Sequence, residues 1–176
     1  MDKIKEELNS AKIIGGIGAI IGQLPGIILL FIAIKKISDA TNKKEIFNNF
    51  LTAFILEVIV IIPIMIISVV LDNDSDFDFI KLIGFLGLGI TLLFSYVLFV
   101  VASYFKKKSF VLIGKELNIK NFEQAGYFWF LGAILLPILI GLIFLFISWI
   151  FTIIAFFSIN EELPSHLVNE NSESLK

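Results

Sequence analysis

The strongest constraint on this chain is a series of long apolar runs, separated by short segments that hold nearly all of its charge. The runs cover residues 13–34, 47–71, 80–105 and 125–159. About 20 apolar residues in a helix are enough to cross the roughly 30 Å hydrocarbon core of a bilayer. The pattern predicts an all-α, polytopic helical membrane protein with four long apolar segments. Its helical transmembrane domain covers residues 1–160, and residues 161–176 form a flexible polar tail.

Composition supports a membrane class and removes most catalytic chemistry. The hydrophobic fraction is 57% and the mean hydropathy is +0.94, whereas soluble proteins are roughly 45–50% apolar. The chain has no Cys, all 14 basic residues are Lys, and the single His is His166 in the tail. Thiolate metal sites and the bidentate fork of Arg are therefore excluded. We expect no catalytic residue, no metal, no cofactor and no enzymatic activity.

The first and last apolar runs leave their topology open. A single helix over residues 125–159 would be about 52 Å long at about 1.5 Å per residue. It is either one tilted helix or two short helices that bend near Pro137. The stretches GAIIGQLPGIILLFIA (18–33) and GAILLPILIGLIFLFIS (132–148) look alike, either by chance or as an internal repeat. If the repeat is real, both ends are related bent or hairpin elements.

The distribution of lysine predicts the orientation. Segments 35–46 and 106–124 are lysine-rich, whereas the acidic segment 72–78 has no Lys. Lysine-rich loops stay cytoplasmic, so we expect a multi-pass protein of the cell (inner) membrane with segment 72–78 outside. Four plain crossings would place both termini outside, and two end hairpins would place both inside.

The acidic segment is LDNDSDFDF, residues 71–79. It does not fit an EF-hand, because Phe77 and Ile83 stand where the calcium loop needs a turn glycine and a bidentate Glu. We interpret it as a solvated turn. Weak binding of a divalent cation by its clustered carboxylates is the alternative.

One acid lies inside an apolar run. Ionisable groups near the bilayer centre cost about 2.5–3.5 kcal/mol to insert, so Glu57 should face a bundle interior. Counting from the cytoplasmic ends puts it level with Ser95 and Tyr96, within about a turn of Gln23, and finds no Lys at that depth. These four residues form a candidate midplane polar cluster without an ion pair. Glu57 is interpreted as a structural pin, a proton or cation relay, or a lipid-facing side chain.

Small residues recur every four positions on two of the runs. Such ridges let helices approach closely in lipid. They predict packing seams within the protein or, alternatively, at a homodimer face. The residues are Gly18, Gly22 and Gly26 on the first run and Gly87, Thr91 and Ser95 on the third. The aromatic residues 127–130 are typical of an interfacial belt.

Several stretches together resemble a known family. They are IGGIGAI, KKISDATNKKEIFNNFLTAFIL, SYFKKKSFVLIGKELNIKNFEQAGYFWFLGAIL and SWIFTIIAFFSI. They resemble domain-of-unknown-function family 996, small prokaryotic integral membrane proteins with no assigned activity. The resemblance covers residues 12–159 and implies the fold class but no site residue.

The functional expectation is a non-enzymatic membrane scaffold or interaction protein. The alternative is a small proton- or cation-coupled transporter or channel that uses Glu57. The expected partners are the lipid bilayer and either further copies of the chain or other membrane proteins, and no nucleic acid.

Overall fold

The structure is a computed structural model that describes residues 2–71 and 78–160. Every regular element in those two ranges is helical. The elements in chain order are α1 (Asp2–Ile21), α2 (Gln23–Ala40), α3 (Lys44–Leu71), α4 (Asp78–Leu117), α5 (Lys120–Ile134), a short 3-10 turn (Leu136–Ile138) and α6 (Ile140–Phe157). The all-α class predicted from the sequence is confirmed for this part of the chain.

The first apolar run is a helical hairpin, the N-terminal hairpin, formed by α1 and α2. Gly22 alone separates the two helices and has a φ of 58°, a left-handed conformation that glycine adopts without steric cost. Glu7 near the start of α1 pairs with Lys36 near the end of α2, with Nζ and Oε2 2.6 Å apart. The helices are therefore antiparallel, and the run returns to the side from which it enters.

The last apolar run is also a hairpin, the C-terminal hairpin, formed by α5 and α6. Its turn contains the 3-10 element and ends at Leu139, which has a φ of 62°. Farther from the turn, the Ser148 hydroxyl donates a hydrogen bond of 2.7 Å to the Ala125 carbonyl. The alternative of two helices bent near Pro137 is the one that the structure has.

Three helices in the described residues, not four, are long and apolar enough to cross a membrane. They lie within Lys44–Pro63, Gly87–Leu117 and Ile140–Phe157. The expectation of four long apolar segments is wrong for the first run, because the break at Gly22 divides it. Its apolar pieces, residues 13–21 and 23–34, would be only about 14 and 18 Å long as helices.

Helix α4 does not end at its lysine cluster. Residues 106–108 lie inside a helix of 40 residues, and only Asn118 and Ile119 separate it from α5. The expected cytoplasmic loop 106–124 is therefore mostly helix. Because α4 continues to Leu117, the register between α3 and α4 differs from the one obtained by counting from Lys106.

The buried core lies toward the lysine-rich end of the bundle. Phe122 stacks edge-to-face on both Phe110 and Phe156, with ring centroids 6.0 and 5.0 Å apart. Ser109 on α4 donates to the Ile46 carbonyl at the start of α3. Farther along α3 and α4, large apolar side chains are exposed, as a lipid environment permits. They include Ile61, Ile62, Met65, Ile90, Leu93 and Phe94.

Two expected features lie outside the described residues. One is the acidic segment at positions 72–77, and the other is the polar tail at 161–176. Asp78 is the first residue of α4. The interpretations of the acidic turn and of the tail therefore stay predictions.

Candidate functional site

Glu57 on α3 forms an ion pair with Lys106 on α4. The Nζ and Oε1 atoms are 3.4 Å apart, and the side chains are 25% and 15% exposed. The expectation that no Lys lies at this depth is wrong. Helix α3 begins at Lys44 and α4 ends at Leu117, and the two residues lie at comparable distances from these ends.

The ammonium group of Lys106 also lies over the ring of Trp129 on α5. Nζ is 3.6 Å from the ring centroid, which is a close cation–π contact that contributes about 1–2 kcal/mol when partly desolvated. Three helices thus meet at one cation. The Trp129 indole nitrogen is buried and has no hydrogen-bond partner among the described residues.

A cavity of about 230 Å³ lies beside this ion pair, and we call it the Glu57 cavity. All six helices contribute to it. Its polar groups include Glu57 and Lys106, and most of the remaining wall is small, aliphatic or aromatic. Gly18 and Gly22 bring the turn of the N-terminal hairpin to the wall, and Trp149 brings the C-terminal hairpin.

The second tryptophan of the cavity joins the two hairpins. The Trp149 indole nitrogen on α6 donates a hydrogen bond of 2.7 Å to the Ala19 carbonyl on α1. Thr152, one turn farther along α6, donates to the Ser148 carbonyl. Both polar side chains are therefore satisfied within the protein, unlike Trp129.

Two other members of the predicted midplane cluster, Tyr96 and Ser95, have no recorded contact with Glu57. The Tyr96 hydroxyl donates to the Ile134 carbonyl at 2.8 Å, which ties α4 to the end of α5. Ser95 is buried, and its hydroxyl has no partner in the described residues. Ser95 lies eleven positions before Lys106 on α4, which is about 16 Å along the helix. Gln23 begins α2, and its side chain lies outside the description. In the described residues Glu57 pairs with Lys106, and its grouping with Gln23 stays a prediction.

The predicted small residues of the first run lie on both helices of the N-terminal hairpin. A Cβ atom on Gly26 would come within 2.5 Å of the Gly18 carbonyl oxygen, and one on Gly18 within 2.9 Å of the Gly26 oxygen. Gly22 forms the turn. On α4, a Cβ on Gly87 would meet nothing within 4 Å in the described part of the chain, and Thr91 is half-buried.

The small-residue pattern in the sequence did not predict a second glycine contact. Gly132 and Gly141 face each other across the C-terminal hairpin, and a Cβ atom on either would collide with the backbone oxygen of the other. The likeness between residues 18–33 and 132–148 carries the signal for it. In that likeness Gly132 corresponds to Gly18, and Gly141 to Gly26 with one residue of offset.

Comparison with known proteins gives a family. Residues 22–150 match the model of "Protein of unknown function (DUF996)". The chain is also similar to "Uncharacterized protein MJ1644" of Methanocaldococcus jannaschii, with 31% identity over 177 residues, covering 92% of this chain and 98% of the relative. No solved structure matches the chain. The match over most of the chain confirms the resemblance, and the protein belongs to the DUF996 family.

Proposed function

We propose that this protein is a non-enzymatic membrane scaffold or interaction protein, in which inward-facing polar side chains hold the helices together. One observation carries the proposal: polar side chains in the described residues repeatedly join two helices. In membranes, interhelical hydrogen bonds of this kind stabilise packing by about 0.6–2 kcal/mol each. The joined pairs are Glu57 with Lys106, Ser109 with Ile46, Tyr96 with Ile134, Ser148 with Ala125, and Trp149 with Ala19.

The proposed location is the cell (inner) membrane, with segments 35–46 and 106–124 in the cytoplasm and segment 72–78 outside. The lysine bias supports this orientation. Contact between the two lysine-rich segments supports their shared side, since Lys43 and Glu116 lie 4.0 Å apart. The two hairpins favour the alternative in which both termini are cytoplasmic.

The proposed partners are the lipid bilayer and either another copy of the chain or a different membrane protein, and no nucleic acid. Exposed apolar side chains on the membrane-crossing helices support a lipid or protein partner, because water would not solvate such a surface favourably. Examples are Ile62 and Met65 on α3, Ile90 and Leu93 on α4, and Ile143 on α6.

A second candidate function is a small proton- or cation-coupled transporter or channel. The observation that favours it is the Glu57 cavity, which has a volume of about 230 Å³ and is lined by a carboxylate and an ammonium group. Ionisable groups at membrane depth frequently mark ion pathways. Glu57 would be the residue that binds the ion.

Flux measurements in reconstituted vesicles distinguish the two candidates. Proton and cation flux is compared for the native protein, Glu57→Gln and the matched control Glu45→Gln, which changes an exposed acid in the first turn of α3. The scaffold proposal predicts the flux of empty vesicles for all three proteins. Flux by the native protein that Glu57→Gln abolishes and Glu45→Gln retains would overturn it in favour of the transporter.

A further inference from the structure

Two lysines of α4 have no acidic partner in the part of the chain that the structure describes. The lysine before them is paired with Glu57, but no carboxylate oxygen of a described residue lies within 4.0 Å of Lys107 or Lys108. Glu123 on α5 lies against Gly114 instead, about 10 Å farther along α4 than Lys107. The charges of Lys107 and Lys108 are therefore not neutralised by a described side chain beside them.

Aromatic rings of α4 and α5 hold both ammonium groups on one face. Lys107 Nζ lies 4.5 Å from the ring centroid of Tyr127 and 4.9 Å from that of Phe130. Lys108 Nζ lies 5.8 Å from the ring centroid of Tyr104, and the rings of Tyr104 and Phe130 are 6.1 Å apart. Residues three and four apart on a helix share a face. These five side chains thus form one surface, which we call the lysine–tyrosine face.

The lysine–tyrosine face is open to an occupant. Tyr104 is 43% exposed and Tyr127 is 52% exposed, while Lys108 is exposed and Lys107 is half-buried. An ammonium group carries three N–H donors, and its hydrogen bonds to phosphate oxygens are strengthened by charge. Two such groups on one face, without a carboxylate beside them, favour an anion.

The same face continues as an apolar strip toward the other end of α4. Val101 and Val97 lie three and seven residues before Tyr104, and they are 40% and 52% exposed. On α5, Ile134 is 40% exposed and lies four residues after Phe130, on the same side of its helix. An occupant that covers the whole surface therefore has an anionic head and an apolar body.

The length of the strip fits one leaflet of a bilayer. Val97 lies ten positions before Lys107 on α4, about 15 Å along the helix. That is half of a hydrocarbon core of about 30 Å. A dissolved anion such as inorganic phosphate would contact the lysines and leave the strip uncovered, whereas a lipid covers both.

We infer that the lysine–tyrosine face binds the phosphate of an anionic phospholipid, with an acyl chain along the apolar strip. Lys107 and Lys108 donate hydrogen bonds to the phosphate oxygens, and the adjacent rings hold the two ammonium groups in place. The inference rests on the proposed location in a membrane, but on neither the scaffold nor the transporter role. It names a ligand and a site that a scaffold does not require.

Titration of the purified protein with lipid measures the preference. Native mass spectrometry in detergent counts single bound molecules of phosphatidylglycerol and of phosphatidylcholine with identical acyl chains. Both lipids carry a phosphate, but phosphatidylcholine also carries its own cation. Lysines near a membrane surface attract anionic lipids. We expect phosphatidylglycerol to bind about tenfold more tightly, a difference of about 1.4 kcal/mol.

Variants that remove two positive charges test the placement. Lys107→Gln with Lys108→Gln should abolish the preference for phosphatidylglycerol and leave the binding of phosphatidylcholine unchanged. The matched control is Lys115→Gln with Lys120→Gln, which removes two exposed lysines of α4 and α5 and should keep the preference. Lys108→Gln alone changes an exposed side chain, so its expected loss of about threefold stays measurable if the double variant fails to fold.

Three results would overturn the inference. The first is equal affinity of the native protein for the two lipids, which leaves the membrane location standing, whereas binding of neither lipid would contradict both. The second is an equal loss of preference in the Lys115→Gln, Lys120→Gln control, because the attraction is then spread over the lysine-rich end. The third is displacement of phosphatidylglycerol by an equal concentration of inorganic phosphate, because the site would then take a dissolved anion.

Discussion

The N-terminal and C-terminal hairpins share a close contact between two glycines but have different turns. In each, two glycines face each other across the antiparallel helices, Gly18 with Gly26 and Gly132 with Gly141. The N-terminal turn is Gly22 alone, whereas the C-terminal turn contains a 3-10 element and ends at Leu139. The difference teaches that the glycine pair sets the close approach of the helices, and that the turn above it can vary.

The largest expected effect comes from adding a methyl group at a glycine crossing. Gly141→Ala directs its Cβ into backbone atoms of Gly132 and the Leu135–Leu136 peptide, which cannot rotate away. We expect the free energy of unfolding to fall by about 3 kcal/mol, which is in the upper part of the range for overpacked cores. Gly26→Ala should cost slightly less, because its contact with Gly18 is less close. Unfolding in mixed micelles measures both.

Gly87→Ala is the matched control for that experiment, since a Cβ there meets nothing within 4 Å in the described residues. It should be neutral or slightly stabilising, because alanine favours a helix by about 1 kcal/mol over glycine. If Gly141→Ala unfolds no more easily than Gly87→Ala, the shared crossing does not set the hairpin.

The second effect concerns the ion pair that lies beside the N-terminal turn. Lys106→Met leaves Glu57 without its cation and should cost about 2 kcal/mol, less than the roughly 3–5 kcal/mol of a fully buried pair because Glu57 is partly solvated. Adding Glu57→Gln to that variant should restore part of the loss. A double-mutant cycle in unfolding free energy measures the coupling, and additive losses would show that the pair does not stabilise the fold.

The third effect tests the hydrogen bond that links the two hairpins. Trp149→Phe removes the donor to the Ala19 carbonyl and should cost about 1 kcal/mol. Trp129→Phe is the matched control, because its indole N–H has no partner in the described residues. Its loss of stability should be smaller than that of Trp149→Phe, because it breaks no recorded hydrogen bond. Equal decreases in the free energy of unfolding of the two variants would show that the Trp149 hydrogen bond does not stabilise the fold.

The smallest effect separates the two turns directly. Leu139→Gly relieves a left-handed conformation that costs a residue with a Cβ about 1–2 kcal/mol, partly offset by the added freedom of glycine in the unfolded chain. The net result should be a gain of about 0.5 kcal/mol. Gly22 has a different positive-φ conformation, with a ψ of −152°, and this region is essentially restricted to glycine, so Gly22→Ala should cost at least about 1 kcal/mol. Changes of the same sign in both unfolding curves would contradict the assigned turn conformations.

The hairpins could be predicted in part from the sequence. The likeness between residues 18–33 and 132–148 and the position of Pro137 both indicated related bends. Pro25 falls in the first turn of α2, where a missing N–H is tolerated. A break at Gly22 itself could not be read, because glycine is also frequent within continuous membrane helices.

The partner of Glu57 was harder to predict, because the depth of a residue in the membrane depends on where its helix ends in three dimensions. Residues 106–108 have the composition of a helix boundary, but their long stems and the rings of α5 allow the helix to continue. Lys107 lies over Tyr127 and Phe130, with Nζ 4.5 and 4.9 Å from the ring centroids. The resulting register between α3 and α4 places Lys106 beside Glu57. No local sequence pattern predicts this register.

The single-residue turn at Gly22 has a consequence for the shape of the molecule in a bilayer. Apolar helices of about 14 and 18 Å reach only about one half to three fifths of the way across a 30 Å hydrocarbon core. In a bilayer that α3 and α4 cross, the N-terminal hairpin would displace lipid mainly from one leaflet, whereas α3 and α4 would displace it from both. A protein with a larger cross-section in one leaflet than in the other would be wedge-shaped, and it would fit best where the bilayer curves so that this leaflet is expanded.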